Sequence, residues 1–329
     1  MTVPTPAPQP ASDALAPTAL EVVEYTDPLC PWAWGAEPLF RWLRDALGEQ
    51  TRWRRVYGIL FDADDDPAPD PAAETAWYEG FVREVGAHTG APYAARLSRV
   101  AATSWPASQV AKAAEAQGPL IADRVLRRLR ETMFVAGDPA DTLASALAAA
   151  EGVPGLDPAR LAEDAASPEV LAAVRADHRE TRAPLPEVLA LQEPGPHPGA
   201  AKETADGSLR YALPTLLFTG PAGHRVVPGR RPLEAYLAAV EAVAPGLHPS
   251  RPVGQLTSPE ALLDYHRSVT GPEWELLAPG CEPPGRAVRT VTGNGPLWLH
   301  PAEAAATPWR PAPPPATRST PRAQRADQH

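Results

Sequence analysis

The stretch from Glu21 to Leu43, EVVEYTDPLCPWAWGAEPLFRWL, constrains the fold more than any other part of this sequence. A run rich in Val and Tyr is followed by Asp27-Pro28, and then by residues whose apolar spacing is close to that of a helix. This order predicts a strand, a tight turn and a helix in immediate succession. Cys30 falls at the start of the helix. Pro31 takes the first helical position, where a missing N–H costs nothing.

The position of Cys30 indicates reactive chemistry. Unpaired N–H groups and the positive end of the helix dipole favour a thiolate there, so we expect the pKa of Cys30 to lie below that of a free thiol. The alternative is a small buried apolar side chain without reactivity. Asp27 and Glu24 are close enough in sequence to tune or accept the Cys30 proton, although a turn residue is an equally good interpretation of Asp27.

The overall composition excludes several classes of protein. The net charge of −10 argues against nucleic-acid binding, which needs a basic surface. No apolar run approaches the roughly 18 residues that a membrane-spanning helix needs. The first 20 residues contain no Lys or Arg and no continuous apolar run, so they do not resemble a secretory signal. With only 2 cysteines, far apart, the sequence is typical of a reducing compartment, and we expect a cytoplasmic protein.

The middle of the chain is predicted to be helical. After a second strand at 51–60 and an acidic loop, helices are expected from about 74 to 178, including one over 92–104 and one that opens at Trp105. The acidic loop lacks the Gly and Glu that an EF-hand starting at Asp62 would require, and no two histidines have metal-ligand spacing. We therefore predict no metal site. An irregular connection is expected at 183–208.

A second set of strands follows. Residues 209–218 and 224–228 are predicted to form a hairpin around a Gly-Pro turn, before an amphipathic helix at 232–244. Pro214 lies inside this pattern, and a proline in a strand is normally confined to a sheet edge. Past residue 247 the sequence predicts a helix capped by Ser258 and a hairpin around 293–295, which we interpret as a docking or dimerisation appendage. No pattern predicts the oligomeric state.

The turn Cys30-Pro31-Trp32-Ala33-Trp34, preceded by Asp27-Pro28-Leu29, resembles the active-site turn of the DsbA-like thioredoxin-fold family, and in particular its FrnE-like and YjbH/SpxH-like branches. The usual family motif is Cys-Pro-Trp-Cys or Cys-x-x-Cys, and Ala33 stands where the second cysteine belongs. The resemblance implies an α/β thioredoxin fold with an all-helical insertion. It also implies that Leu213-Pro214-Thr215 carries a cis proline packed against the cysteine turn. The helix start at Trp105 would face that turn, with a core aromatic as the alternative.

Pattern and resemblance together predict five parts. They are a disordered arm (1–19), the thioredoxin-fold domain (20–60 and 209–247), the helical insertion with its connecting loop (61–208), a small C-terminal helix-hairpin appendage (248–300) and a disordered tail (301–329). The predicted catalytic residues are Cys30, Pro31 and Pro214. The predicted substrate-binding residues are Asp27, Trp32, Trp34, Trp105, Leu213 and Thr215.

The single cysteine of the motif restricts the chemistry. A dithiol cycle needs a second thiol to resolve the mixed disulfide, and Cys281, with no cation and no helix start beside it, is predicted to be inert. We therefore predict a thiol oxidoreductase or thiol transferase in which Cys30 forms a mixed disulfide with a low-molecular-weight thiol or a client protein. The alternatives are an isomerase similar to the kappa-class glutathione transferases and a non-catalytic adaptor. No tightly bound cofactor is expected, and neither nucleic acid nor membrane is expected as a partner.

Overall fold

The computed structural model describes residues 20–62, 70–191, 201–204, 207–249 and 258–309, and the predicted arm at 1–19 lies outside them. Twelve α-helices and nine strands form this part of the chain. The strands are β1 (Leu20–Thr26), β2 (Thr51–Tyr57), β3 (Ala201–Glu203), β4 (Leu209–Tyr211), β5 (Thr215–Gly220), β6 (Gly223–Pro228), β7 (Ser268–Thr270), β8 (Val288–Thr292) and β9 (Gly295–Leu299). The helices are α1 (Pro31–Leu47), α2 (Pro71–Thr89), α3 (Trp105–Glu115), α4 (Pro119–Glu131), α5 (Leu143–Ala150), α6 (Pro158–Ala165), α7 (Pro168–Thr181), α8 (Pro186–Ala190), α9 (Leu233–Val243), α10 (Pro259–His266), α11 (Gly271–Leu277) and α12 (Pro301–Ala306).

A mixed four-stranded sheet organises the chain, with strand order β2-β1-β5-β6. Strand β1 pairs in parallel with β2 and antiparallel with β5, and every β1 residue except Glu21 is buried. Burial on both faces explains the Val-rich sequence of this strand. Helices α2 to α7 are inserted between the parallel pair and the antiparallel strands. This arrangement confirms the predicted α/β thioredoxin fold with a helical insertion.

Helix α1 has the bounds that the sequence predicts. It begins at Pro31, with Cys30 in extended conformation as the N-cap residue, and it ends at Gly48, whose φ is 54°. A positive φ is readily adopted by glycine, so the helix stops there. Most of the helix is buried because the sheet, the insertion and the C-terminal region surround it.

The insertion differs from the prediction at 92–104, where no helix forms. Backbone N–H groups of this segment bind partners outside it: Leu97 donates to Glu79 at 2.7 Å and Ser98 donates to the carbonyl of Gly137 at 2.7 Å. The prediction of a helix was wrong here because these tertiary hydrogen bonds replace the helical ones.

The described parts of the connection at 183–208 contain regular elements that were not predicted. These are the short helix α8 and the strand β3, which pairs antiparallel with β4. The single strand predicted at 209–218 is therefore divided into β4 and β5. The division falls at Leu213-Pro214, where proline has no N–H to give to a sheet.

The C-terminal region is built into the fold. Strands β7, β9 and β8 form a second sheet, and α10 begins after its Ser258 cap as predicted. Leu262, Leu263 and Trp274 share one apolar core with Phe40 and Leu43 of α1. The C-terminal region is thus packed against the thioredoxin fold and shares its apolar core.

The predicted disordered tail begins too early. Residues 301–306 form α12, and Glu303 on this helix is buried and ion-paired with Arg128 of α4. This long-range pair orders a segment whose composition alone suggested disorder. Residues 310–329 lie outside the described part of the chain. No helix in the part of the chain that the structure describes is long and apolar enough to cross a membrane.

Candidate functional site

Cys30 lies between the start of α1 and the segment that joins β4 to β5. Its Sγ is 3.5 Å from the carbonyl oxygen of Leu213, and the Leu213-Pro214 peptide bond is cis. The hydroxyl of Thr215 donates to the carbonyl of Ala212 at 2.6 Å, and Gly229 N–H donates to the carbonyl of Pro214 at 2.8 Å. These bonds hold the proline segment against the cysteine turn. Buried Thr215 therefore shapes the segment from inside.

The thiol of Cys30 is buried, with 3% of the residue exposed. Burial raises its pKa to about 11, and the N–H groups of Ala33 and Trp32 at the helix start only partly oppose this effect. The predicted lowering of the Cys30 pKa is therefore wrong, because the loss of water around the sulfur outweighs the helix terminus. In this conformation the thiol is protonated at neutral pH.

Asp27 is a buried carboxyl group directly before the cysteine turn. Its Oδ1 accepts a hydrogen bond from Leu29 N–H at 2.7 Å, and its Oδ2 accepts one from Leu60 N–H at 2.8 Å. Burial raises the pKa of Asp27 to about 6, although these hydrogen bonds oppose the shift. The charge of Asp27 in turn raises the pKa of Cys30. Asp27 is thus more than a turn residue, because it titrates near neutral pH beside the thiol.

We expect the stability of the protein to fall by about 3 kcal/mol, relative to Asp27→Asn, as the pH rises from below 4 to above 6. The folded-state pKa of Asp27 is raised, so the unfolded chain loses this proton first and the folded state bears the cost of the buried charge at higher pH. Urea unfolding of both proteins across this pH range would measure the difference. A constant difference would contradict the raised pKa, whatever hydrogen bonds the asparagine gains or loses.

Trp32 and Trp34 lie on different sides of α1. Trp32 packs in the apolar cluster around Cys30, with its ring 6.2 Å from that of His88. Two positions along a helix rotate a side chain by about 200°, so Trp34 faces the insertion, where its Nε1 donates to the carbonyl of Pro92 at 2.7 Å and its ring lies 6.1 Å from Phe134. The structure places Trp34 in the insertion core, which corrects its predicted role in substrate binding.

Trp105 opens α3 as predicted, but its partners form a separate polar group. Its Nε1 donates to Asp62 at 3.1 Å, and its ring centroid is 5.2 Å from that of His178. Asp62 also contacts His178 at 3.1 Å and Arg182 at 3.3 Å. Substrate contact by Trp105 stays a prediction.

Several residues around Cys30 were not found from the sequence. Tyr211 of β4 stacks on Tyr25 at a centroid distance of 4.0 Å, and its hydroxyl accepts a hydrogen bond from Leu185 N–H at 3.0 Å. Val188 of α8 is fully buried in the same cluster as Cys30. Both residues therefore belong to the apolar cluster that contains Cys30, and the unusual length of the connection at 183–208 was the one signal for them.

Arg210 is a further residue that sequence reasoning missed. It precedes Tyr211 on β4, and its positive charge lowers the pKa of both Cys30 and Asp27. An alternating strand pattern alone does not indicate such a role. The site thus contains one thiol, one carboxyl group and one cation.

Neither a metal site nor a second thiol accompanies Cys30 in the described residues. They contain no group of three or more His, Cys, Asp or Glu side chains that could hold a metal ion. Both cysteines are free, and Cys281 is exposed in the C-terminal region. The predicted inertness of Cys281 stays a prediction.

Comparisons with known proteins agree with this geometry. A family model described as thioredoxin matches residues 24–183. The solved structure of a Nitrosomonas europaea protein, provisionally described as a protein disulfide isomerase, superimposes with a TM-score of 0.52 and 15% identity, covering 68% of this chain and 96% of that chain. The chain is similar in sequence and fold to the DsbA-like thioredoxin-fold family.

Two further relatives are less complete or less similar. The ClpXP adapter protein SpxH of Shouchella clausii (strain KSM-K16) is 30% identical over 175 residues, which cover 52% of this chain and 56% of that protein. The match therefore spans little more than half of the relative's length. The cytosolic disulfide reductase DsbM of Pseudomonas aeruginosa has a TM-score of 0.47 and 19% identity, covering 66% of this chain and 97% of that chain.

Proposed function

We propose that the chain is a thiol oxidoreductase or thiol transferase that uses Cys30 as its single nucleophile. The observation that carries the proposal is the placement of Cys30 Sγ at the start of α1 and 3.5 Å from the carbonyl of Leu213, beside Pro214. The sulfur is thus fixed between a helix terminus and a backbone segment. The substrate would be a disulfide of a small thiol, alone or attached to a client protein.

The proposed reaction has two exchange steps. The Cys30 thiol loses its proton to water, and Sγ attacks a substrate R–S–S–R′. The R–S–S–R′ bond breaks as the Cys30–S–S–R bond forms, and R′S⁻ leaves and takes up a proton from water. A second thiol then attacks the sulfur of R. This step releases Cys30 as a thiolate, which takes up the proton that the attacking thiol has lost.

Burial makes this reaction strongly dependent on pH. Because the pKa of Cys30 is about 11, the thiolate fraction should rise about tenfold with each pH unit below that value. Any opening of the apolar cluster around Cys30 that admits water would increase this fraction further, since burial is the largest cause of the shift.

We expect Cys30 to react with iodoacetamide at a rate that rises about tenfold per pH unit between pH 6 and 9, without a plateau. Mass spectrometry of the Cys281→Ser variant would restrict the signal to Cys30. The same variant should form a mixed disulfide with bis(2-hydroxyethyl) disulfide, and Cys30→Ser should abolish it. Absence of any Cys30 mixed disulfide at pH 9 would refute the proposed function, whereas a plateau near pH 7 would refute the burial effect alone.

A reducing compartment suits this chemistry. Both cysteines are free, and a single-thiol cycle needs a supply of small thiol to release Cys30. We therefore place the protein in the cytoplasm as part of the same proposal.

A second candidate function is an adaptor that binds a client without reacting with it. The observation in its favour is the 30% identity to an adapter protein, together with a thiol that is protonated and covered at neutral pH. The two candidates differ in the effect of Cys30→Ser. Client binding that survives this substitution, with no loss of cellular function, would favour the adaptor.

A further inference from the structure

Three cations lie near the site: Arg210 on β4, Lys202 on β3 and Arg182 after α7, close enough for the charge of Arg182 to act on Arg210. Arg210 on β4 stands directly opposite Lys202 on β3 in the antiparallel register. Side chains opposed in this way lie on one face, with Cβ atoms about 5 Å apart, and two like charges there are unfavourable. Arg182 follows α7 and donates to the carbonyl of Gly58 at 3.2 Å and to Asp62 at 3.3 Å.

Arg210 is the central member of this group. Its Nη1 donates to the carbonyl of Tyr211 at 3.0 Å, and within the described residues no carboxylate lies at salt-bridge distance from its guanidinium. Burial lowers its pKa, as does the charge of Arg182, while Cys30 and Asp27 act in the opposite direction. Burial and the charge of Arg210 likewise lower the pKa of Lys202. Arg182 is already paired with Asp62, so Arg210 and Lys202, opposed on one face of the β3-β4 ribbon and partly removed from water, are the cations that favour an incoming anion.

The cluster is held at a fixed place relative to the thiol. Only Tyr211 and Ala212 separate Arg210 from Leu213, whose carbonyl is 3.5 Å from Cys30 Sγ. Tyr211 is in turn fixed by its stacking on Tyr25. Arg210 and Cys30 also act on each other electrostatically, so they lie near enough for one small ligand to meet both.

We propose that Arg210, supported by Lys202 and Arg182, binds a carboxylate of the substrate, so that the preferred partner of Cys30 is an anionic low-molecular-weight thiol or its disulfide. This inference rests on the proposed function and names its substrate class. A guanidinium binds a carboxylate through two parallel hydrogen bonds, so Arg210 gives orientation as well as charge.

The test compares two disulfides that differ in charge. In the Cys281→Ser background, rate constants for the Cys30 mixed disulfide are measured with glutathione disulfide, which is anionic, and with bis(2-hydroxyethyl) disulfide, which is neutral. Arg210→Gln should lower the ratio of the first rate constant to the second by about tenfold or more. The ratio is independent of the thiol pKa, because both reactions use the same sulfur. Lys202→Gln should lower it less, and Arg289→Gln, on the exposed side of β8, should leave it unchanged.

The outcomes separate the inference from the function on which it rests. An unchanged ratio in Arg210→Gln, with both disulfides still reacting, would overturn the anion site and leave the proposed function intact. Failure of both disulfides with the wild-type Cys30 would refute the proposed function and this inference with it. If Arg210→Gln does not fold, the same ratio of rate constants is measured in Arg210→Lys, and in the protein with Arg210 at increasing salt concentration. Added sodium chloride should reduce the ratio, because it screens an exchange that depends on charge, and a ratio independent of salt would overturn the inference.

Discussion

Replacing Glu273 by alanine should lower the free energy of unfolding by about 3–5 kcal/mol. Glu273 is fully buried at the start of α11, and its two carboxylate oxygens accept hydrogen bonds from Arg127 at 2.8 and 3.0 Å. Arg41 of α1 lies 3.1 Å from the same carboxylate. The substitution would leave two buried guanidinium groups without their common counter-charge, and such groups are costly to keep out of water.

The pKa of Glu273 gives the pH range in which this contribution acts. Burial alone would raise the pKa of Glu273, but the charges of Arg127 and Arg41 outweigh this effect. The net result is a pKa lowered to about 2. Because the folded-state pKa is lower than the unfolded one, the stabilisation is present above about pH 4.5 and is lost as the pH falls through 2. Urea unfolding followed by circular dichroism at pH 7 would measure the loss.

A matched control is available on the same helix. Glu275 is exposed on α11, so Glu275→Ala should change stability by no more than about 0.5 kcal/mol. Glu273→Gln should lie between the two, since it keeps the shape and the hydrogen bond from Thr270 N–H at 2.7 Å but removes the charge. Equal stability of the two alanine variants would show that the buried ion pairs contribute nothing net.

Glu273 matters to the site because its ion pairs continue towards the cysteine turn. Arg41 also contacts Glu37, and Glu37 is paired with Arg130 of α4. Arg130 donates to the hydroxyl of Thr26 at 2.8 Å, one residue before Asp27. The C-terminal region is therefore joined, through charged groups of α1 and α4, to the end of the strand that carries the site.

The strand, turn and helix around Cys30 could be predicted because their signals are local. Pro31 and Gly48 mark the two ends of α1, and the structure has the same bounds. Trp34 belongs to this local information too, since helical periodicity already separates it from Trp32. Only Trp32 lies in the apolar cluster of Cys30, and its contact with a substrate stays a prediction.

The burial of Cys30 could not be predicted, because it depends on residues far away in sequence. The apolar cluster that contains Cys30 includes Val188 and Tyr211, more than 150 positions later. A helix terminus is a local signal for a lowered cysteine pKa. The burial that raises the pKa of Cys30 instead depends on residues that are distant in sequence.

The packing of the C-terminal region could not be predicted from the sequence either, because it also depends on residues that are far apart. Arg127 and Glu273 are 146 positions apart, and charged residues in a sequence normally indicate a solvated surface. Their mutual pairing is what permits burial. The same applies to Arg128 and Glu303, which order a helix in a Pro- and Ala-rich segment.

Introducing a second thiol by Ala33→Cys should shorten the lifetime of the Cys30 mixed disulfide by at least about a hundredfold. Ala33 is fully buried in the cluster that contains Cys30, and its N–H lowers the pKa of the Cys30 thiol through a hydrogen bond. A thiol at this position would attack Cys30 Sγ within the same molecule. The bond to the small thiol would break, an internal disulfide would form, and the small thiol would leave with the proton.

The measurement starts from the glutathione adduct of each protein in the Cys281→Ser background. Release of glutathione is followed by mass spectrometry without added thiol, and the parent with Ala33 should retain its adduct. The double variant Cys30→Ser/Ala33→Cys controls for reaction at the introduced thiol itself. Because the added sulfur costs about 1–3 kcal/mol if it crowds the core, the stability of each variant is measured alongside.

The result distinguishes two limits on the chemistry of this site. Rapid release would mean that the parent protein keeps its adduct because residue 33 carries no thiol, and that burial of Cys30 does not prevent exchange once an attacking group is present. An adduct that persists in a folded Ala33→Cys variant would contradict the prediction. Burial in the apolar cluster, rather than the missing cysteine, would then be what limits reaction at Cys30. Attack requires the incoming sulfur to approach in line with the bond that breaks, and a closely packed cluster would prevent that approach.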